Sequence, residues 1–205
     1  ERIKELIAIY RHKDYPEKKG VLYNKLPFKK FKDVLAYRNN QERIHWILDN
    51  LPETKNKTFI DLGCSEGTVS FLLTAEGWKG IGIDYDADAI KIAREIKEYY
   101  HLDLNFIYRN IYEYYADLSI NKYKDVCLFL SAFQWYVKQS GIQKGKELLK
   151  RLSKFHKYLF FETAGSDSKA VLEQADKLEW QLELLESWGW KPSKWEKFKC
   201  DTGGE

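Results

Sequence analysis

Asp61-Leu62-Gly63-Cys64-Ser65-Glu66-Gly67 is the stretch that decides the reading of this chain. Before it lies a short β-rich run, Thr58-Phe59-Ile60. After it comes a helical pattern over 66–76 with Val69, Leu72 and Leu73 on one face, stopped by Gly77. Two glycines between a strand and a helix permit left-handed backbone and let a ligand approach the main chain. The helix start that follows offers unpaired amide N–H groups. A dinucleotide-binding turn would read G-x-G-x-x-G here, whereas this chain has G-x-x-x-G preceded by an acid.

Working outward, the same alternation repeats. Gly80-Ile81-Gly82-Ile83 is an apolar run, and 87–100 carries Ile90, Ala93 and Ile96 at helical spacing. Leu104–Tyr108 and Val126–Leu130 read as strands. Gly145–His156 is an amphipathic helix through Leu148, Leu149, Leu152 and Phe155, and Tyr158–Phe161 is a fifth strand. Short apolar strands alternating with amphipathic helices predict an α/β fold, a mostly parallel sheet with helices on both faces. Residues 1–40 read as a helical N-terminal cap broken at Pro16, Gly20 and Pro27, with no strand signal. Residues 41–205 form the main domain, opening on the amphipathic helix Gln41–Leu51. Past the fifth strand the pattern predicts a long helix over 168–188, a strand over 195–200 and a turn at Thr202-Gly203-Gly204.

Composition narrows the class. With 44% hydrophobic and 32% charged residues, the chain has enough apolar material for one packed domain. No apolar run approaches the length that spans a bilayer, and 1–13 lacks the apolar core of a signal peptide. Cys64, Cys127 and Cys200 form no C-x-x-C pair and no metal-ligand spacing, so reduced thiols and a cytoplasmic location are expected. A net charge of +3 excludes a polycation.

The acid expected to partner the loop is Asp84, at the end of the next strand about 20 residues on, where a carboxylate accepts both hydroxyls of a ribose. Asn110 follows the third strand in Arg109-Asn110-Ile111. Each piece alone has an ordinary structural use: Gly63 and Gly67 as turn glycines, Asp84 (or Asp86) as a helix N-cap, Asn110 as a turn residue. Together, after three successive strands and in one register, they point to a nucleoside-containing cofactor.

This constellation resembles the class I S-adenosylmethionine-dependent methyltransferases, whose first motif is commonly D-x-G-x-G-x-G; Ser65 stands where the middle glycine falls. The resemblance implies a Rossmann-like fold with S-adenosylmethionine as cofactor. It places Asp61, Gly63, Ser65 and Gly67 along the cofactor, Asp84 at the ribose and Asn110 at the adenine, with Tyr85, Ile111 and Ser131 among the other residues that bind it. Within that superfamily, Tyr37 to Arg43, Leu130-Ser131-Ala132-Phe133-Gln134-Trp135 and Leu159-Phe160-Phe161-Glu162 resemble the methyltransferase domain of bacterial O-antigen chain-terminating proteins, which methylate a terminal phosphate on a polysaccharide. On that resemblance Arg38 pairs with the cofactor's methionine carboxylate. Gln134-Trp135 departs from the His-His those relatives often carry. Class I sheets usually hold seven strands with a final antiparallel hairpin. The missing seventh strand and the lack of any methionine suggest a piece of a longer polypeptide.

Acceptor-side candidates are Gln134, Tyr136 and Glu162, with Ser131 and Trp135 beside them; Glu162 is the best placed general base. The four histidines read as structural or surface residues. The expected activity is methyl transfer to a glycan, a phosphate or a small molecule. The basic aromatic flanks, Lys18 to Lys32 and Trp188 to Lys199, leave an RNA acceptor as the alternative. A non-catalytic binding module is the third reading, against which Asp61, Gly63, Gly67 and Asp84 all stand.

Overall fold

The structure, a computed structural model, describes residues 1–12, 16–38, 41–117, 123–163 and 177–198. Its frame is a parallel sheet of five strands: β3 (Thr58–Leu62), β4 (Lys79–Asp84), β5 (Leu104–Tyr108), β6 (Lys124–Leu130) and β7 (His156–Glu162), in the order β5-β4-β3-β6-β7. Leu62 pairs with Ile83, and Asp61 with both Gly82 and Leu128. The strand order reverses between β3 and β6. In an open parallel sheet that reversal leaves a crevice at the carboxyl ends of the strands.

Alternate residues serve opposite faces, as the strand period requires. Val126 and Leu128 join Phe59 in a layer with Ile44, Ile47, Val69 and Leu73, from α2 (Gln41–Asp49) and α3 (Thr68–Ala75). Cys127 and Phe129 join Ile60 and Leu62 in a layer under α5 (Ile111–Ala116), α6 (Phe133–Ser140), α7 (Ile142–Phe155) and α8 (Leu178–Ser187). Helix α4 (Ala87–Tyr99) buries Ala89, Ile90, Ala93 and Ile96 against Leu104, Phe106 and Phe71. Helices on both faces of a parallel sheet make the fold Rossmann-like, as the strand–helix alternation predicted.

The N-terminal flank holds helix α1 (Arg2–Ile9), which packs beside α4, and two short strands the sequence reading missed. Strands β1 (Leu22–Asn24) and β2 (Ala36–Arg38) pair in parallel as a separate ribbon. Each is three residues long, too short to show a period of two. Ile3, Ile7, Tyr10, Leu22, Leu26 and Phe31 share one buried cluster with α4, so flank and sheet are built on a common core. At the other end, residues 191–198 have no regular structure, which corrects the expected strand from Trp195. Of the expected helix over 168–188, the described part is α8. The turn at 202–204 lies outside the described residues. No helix among the described residues is long and apolar enough to cross a membrane.

Candidate functional site

The loop after β3 needs its small residues for stated reasons. Gly63, Ser65 and Gly67 have φ of +78°, +49° and +85°. A Cβ on Gly63 would lie 2.6 Å from the Ala132 methyl, and one on Gly67 would enter the Phe106 ring. Gly63 therefore lets the β3 loop meet the loop after β6 across the crevice, and Gly67 lets α3 start tight against the sheet. The amides of Gly63 and Cys64 donate to the Ile83 carbonyl at 2.8 and 3.1 Å, which pins the loop to β4. The Asp61 carboxylate accepts the Ser70 hydroxyl at 2.7 Å and so anchors the first turn of α3.

Asp84 sits at the carboxyl end of β4. One oxygen accepts the Ser65 N–H and the other the Asp86 N–H, both at 2.8 Å. Asp86 caps α4 through the amides of Asp88 and Ala89. The two acids thus divide the labour that sequence alone left open: Asp86 is the cap, and Asp84 faces the crevice. Each Asp84 oxygen keeps a further lone pair, the arrangement that receives two hydroxyls. Asn110 Oδ1 accepts the Tyr112 N–H at 2.8 Å and caps α5, so its structural use is realised while the residue also lines the pocket.

The pocket opens over the carboxyl ends of β3, β4, β5 and β6. One wall holds Gly63, Ser65, Asp84, Tyr85 and Asp86; facing it stand Asn110, Ile111, Ser131, Trp135 and Tyr136. His12 and Tyr23 of the flank close a third side, their rings stacked 5.1 Å apart. His12, read from sequence as structural or surface, is thus a wall of the pocket.

Other expected site residues lie behind that surface. Asp61 and Gly67 shape the loop from beneath, and Arg38 is buried with its guanidinium 5.2 Å from the Tyr23 ring centre. Gln134 is buried, donating through Nε2 to the Ser131 carbonyl at 2.7 Å. Glu162 is held by Arg43 at 2.5 Å and by the Ser131 hydroxyl, so its carboxylate is turned to these partners rather than to the pocket. Ser131 itself is left-handed at φ +52°. Arg43 went unnoticed in the sequence although a signal existed: a cation one turn before Ile47 on the buried stripe of α2.

Electrostatically the floor is acidic. Burial raises Asp84 and Asp61 to about 6 and Glu66 to about 7, against backbone and hydroxyl donors that hold them down. Three polar atoms at this end of the sheet are buried and make no hydrogen bond among the described residues: Gln134 Oε1, Arg43 Nε and Thr68 Oγ1. Native interiors rarely leave such groups unpaired away from function. No group of three or more His, Cys, Asp or Glu among the described residues has the arrangement to hold a metal ion.

Comparison with known proteins agrees with this geometry. A family model described as "Methyltransferase domain" matches residues 53–188. The bifunctional methyltransferase/kinase WbdD of Escherichia coli, an O-antigen chain terminator, is 30% identical over 135 residues, which are 63% of this chain and 19% of that protein. The chain therefore spans about a fifth of the curated relative it matches. A crystal structure of monomeric WbdD superposes with a TM-score of 0.70 at 26% identity, over 83% of this chain and 42% of that one. The [4+2]-cyclase SpnF shares the fold alone, with a TM-score of 0.55 at 12% identity over 78% of this chain and 58% of its own. Because the family match covers well over half of the 205 residues, and its span takes in the glycine loop, Asp84 and Ser131, the chain belongs to the methyltransferase-domain family.

Proposed function

We propose that this chain binds S-adenosylmethionine across the carboxyl ends of β3, β4 and β5 and transfers its methyl group to a saccharide or phosphate acceptor. The observation that carries the reading is Asp84: a buried carboxylate, fixed by two backbone amides beside a left-handed loop at the point where the strand order reverses. In this reading Asp84 takes the ribose hydroxyls. Tyr85 and Ile111 flank the base, with Asn110 beside it, and Gly63 and Ser65 bring the backbone close to the cofactor's chain. Arg38 and Asp61 act from behind. The sulfonium supplies an electrophilic methyl group when bound, and the acidic floor favours that positive charge over a neutral product.

The protein's share is orientation and exclusion of water. Trp135 and Tyr136 wall the side from which an acceptor enters, and Gln134 and Ser131 fix the loop on which they stand. Glu162 serves this loop through Ser131. A phosphate acceptor is already anionic and needs no proton removed, which fits a site whose nearest base candidate is engaged by Arg43. The saccharide class draws its support from the likeness to an O-antigen chain terminator.

The test has two arms. Calorimetry with S-adenosylmethionine should give one site per chain. Tritiated methyl groups should then move to a phosphate-terminated oligosaccharide and not to RNA. Absence of cofactor binding contradicts the reading altogether, and transfer to RNA moves the acceptor to the alternative class.

A further inference from the structure

Glu66 does not line the pocket, yet it is fully buried behind the loop that does. One carboxylate oxygen accepts the backbone N–H of Tyr23 at 2.6 Å, and the other accepts the Ser65 hydroxyl at 2.8 Å. Tyr23 belongs to β1, and its ring stacks on both His12 and Tyr37. Ser65 belongs to the left-handed turn that donates its N–H to Asp84. A single side chain therefore joins the flank wall of the pocket to the loop wall, 43 residues apart in sequence.

We propose that Glu66 is a positioning residue that couples the two walls, so that the flank carrying His12 and Tyr23 and the turn at Ser65 reach their binding geometry together. The proposal rests on the reading that this pocket holds S-adenosylmethionine. Its physical basis is the geometry of acceptance. An ionised carboxylate accepts on both oxygens, whereas a protonated one carries a hydrogen on one oxygen and keeps a single strong acceptor. A bond to a charged acceptor is also the stronger kind. Gain of a proton therefore turns two charge-assisted bonds into neutral ones, the carbonyl oxygen keeping the Tyr23 N–H and the new O–H turning to Ser65 Oγ, so that the tie between the walls weakens. Burial sets this event near pH 7. The groups facing Glu66 are Tyr10 from the end of α1, Asp84 from β4, Ser65 and Cys64 from its own loop, and the Tyr23 amide; Asp86 faces it across Tyr10. A serine where the family pattern has glycine fits the coupling. It accepts a strained φ of +49° and in return places a hydroxyl on Glu66.

The experiment measures S-adenosylmethionine affinity by calorimetry between pH 5.5 and 8.5, with amide exchange at Tyr23. In the wild type, Kd should rise as the pH falls through 7, and again near 6 as Asp84 is protonated. Glu66→Ala should weaken binding about tenfold and speed Tyr23 exchange by a similar factor, as loss of a charge-assisted bond implies. Glu66→Gln accepts from Tyr23 through its carbonyl oxygen and does not titrate. It should recover most of the affinity, lose the inflection near 7 and keep the one near 6. An unchanged Kd in Glu66→Ala, or the same pH profile in Glu66→Gln as in the wild type, overturns the coupling. If Glu66→Ala does not fold, the glutamine variant decides. If the wild type takes up no S-adenosylmethionine, the cofactor reading fails, while the exchange rate of Tyr23 in the variants still tests the tie.

Discussion

At the amino ends of β3 and β6, Thr58 and Asp125 bond each other three times: Asp125 Oδ2 accepts both the amide and the hydroxyl of Thr58, and Thr58 Oγ1 accepts the Asp125 N–H, all between 2.9 and 3.0 Å. His156, at the start of β7, meets the Tyr115 hydroxyl at 2.7 Å and the Lys124 carbonyl at 3.2 Å. At the carboxyl ends of the same strands the chain tolerates the opposite: three buried acids pushed upward, two serines in left-handed backbone, and buried polar atoms with no partner among the described residues. One end is closed chemistry that holds the sheet together. The other keeps acceptors, donors and strain in reserve, which is the pattern of a binding site.

The sharpest way to break this comparison is to remove an acid from each end. Asp84→Ala should lower S-adenosylmethionine affinity at least tenfold, because each charge-assisted bond to a ribose hydroxyl contributes about 1.5–3 kcal/mol. Folding stability should change little, because relief of the desolvated carboxylate offsets the loss of the acceptor for the Ser65 and Asp86 amides. Asp125→Ala should do the reverse. It strands the Thr58 amide and costs about 1–3 kcal/mol in denaturant melts, with cofactor affinity unchanged. Equal effects of the two substitutions on affinity would erase the distinction between the ends.

Titration should also set the ends against each other. Asp61, Glu66 and Asp84 sit above the ordinary carboxylate range when folded, so the stability they contribute is full below about pH 4 and is lost as pH rises through 6 to 7. Burial lowers His156 to about 4, so its contribution is present above about 6.5 and is lost as pH falls toward 4. Three acids outweigh one histidine. From pH 7.5 to 5.5 these four groups together should stabilise the ligand-free protein by about 1–2 kcal/mol, even as cofactor binding weakens. His156→Gln should steepen that gain. A ligand-free protein that loses stability over this window would show that the acids are not desolvated as described.

The smallest expected effect is at Ser65. Ser65→Gly relieves left-handed strain of about 1 kcal/mol but forfeits a hydroxyl bond of similar worth, so stability should change by less than about 1 kcal/mol. A large loss would mean that the Glu66 contact dominates the turn.

What was legible in the sequence follows from range. Gly63, Gly67, Asp84 and the strand–helix alternation are local signals, each readable within a few residues, whereas the strand order with its reversal between β3 and β6 came only from the structure. Asp86 as the α4 cap was legible as one of two choices, and only geometry separated it from Asp84. His12, Tyr23 and Glu66 were not, because their roles rest on contacts across 43 residues or more between a flank of weak pattern and the loop. The strands β1 and β2 escaped because three residues cannot display a period, and the run from Trp195 misled because alternation of bulky and charged residues occurs in extended chain as well. Glu162 looked like a base because an acid at a strand's carboxyl end so often is one. Its partner Arg43 lies 119 residues away.

Amide exchange with and without S-adenosylmethionine tests the central claim most directly. Binding should protect residues 63–67, 84–86, 109–111 and 131–135 at the carboxyl ends and leave 57–58 and 124–125 at the amino ends as they were. Protection at the amino ends, or none anywhere at saturating cofactor, would contradict the account.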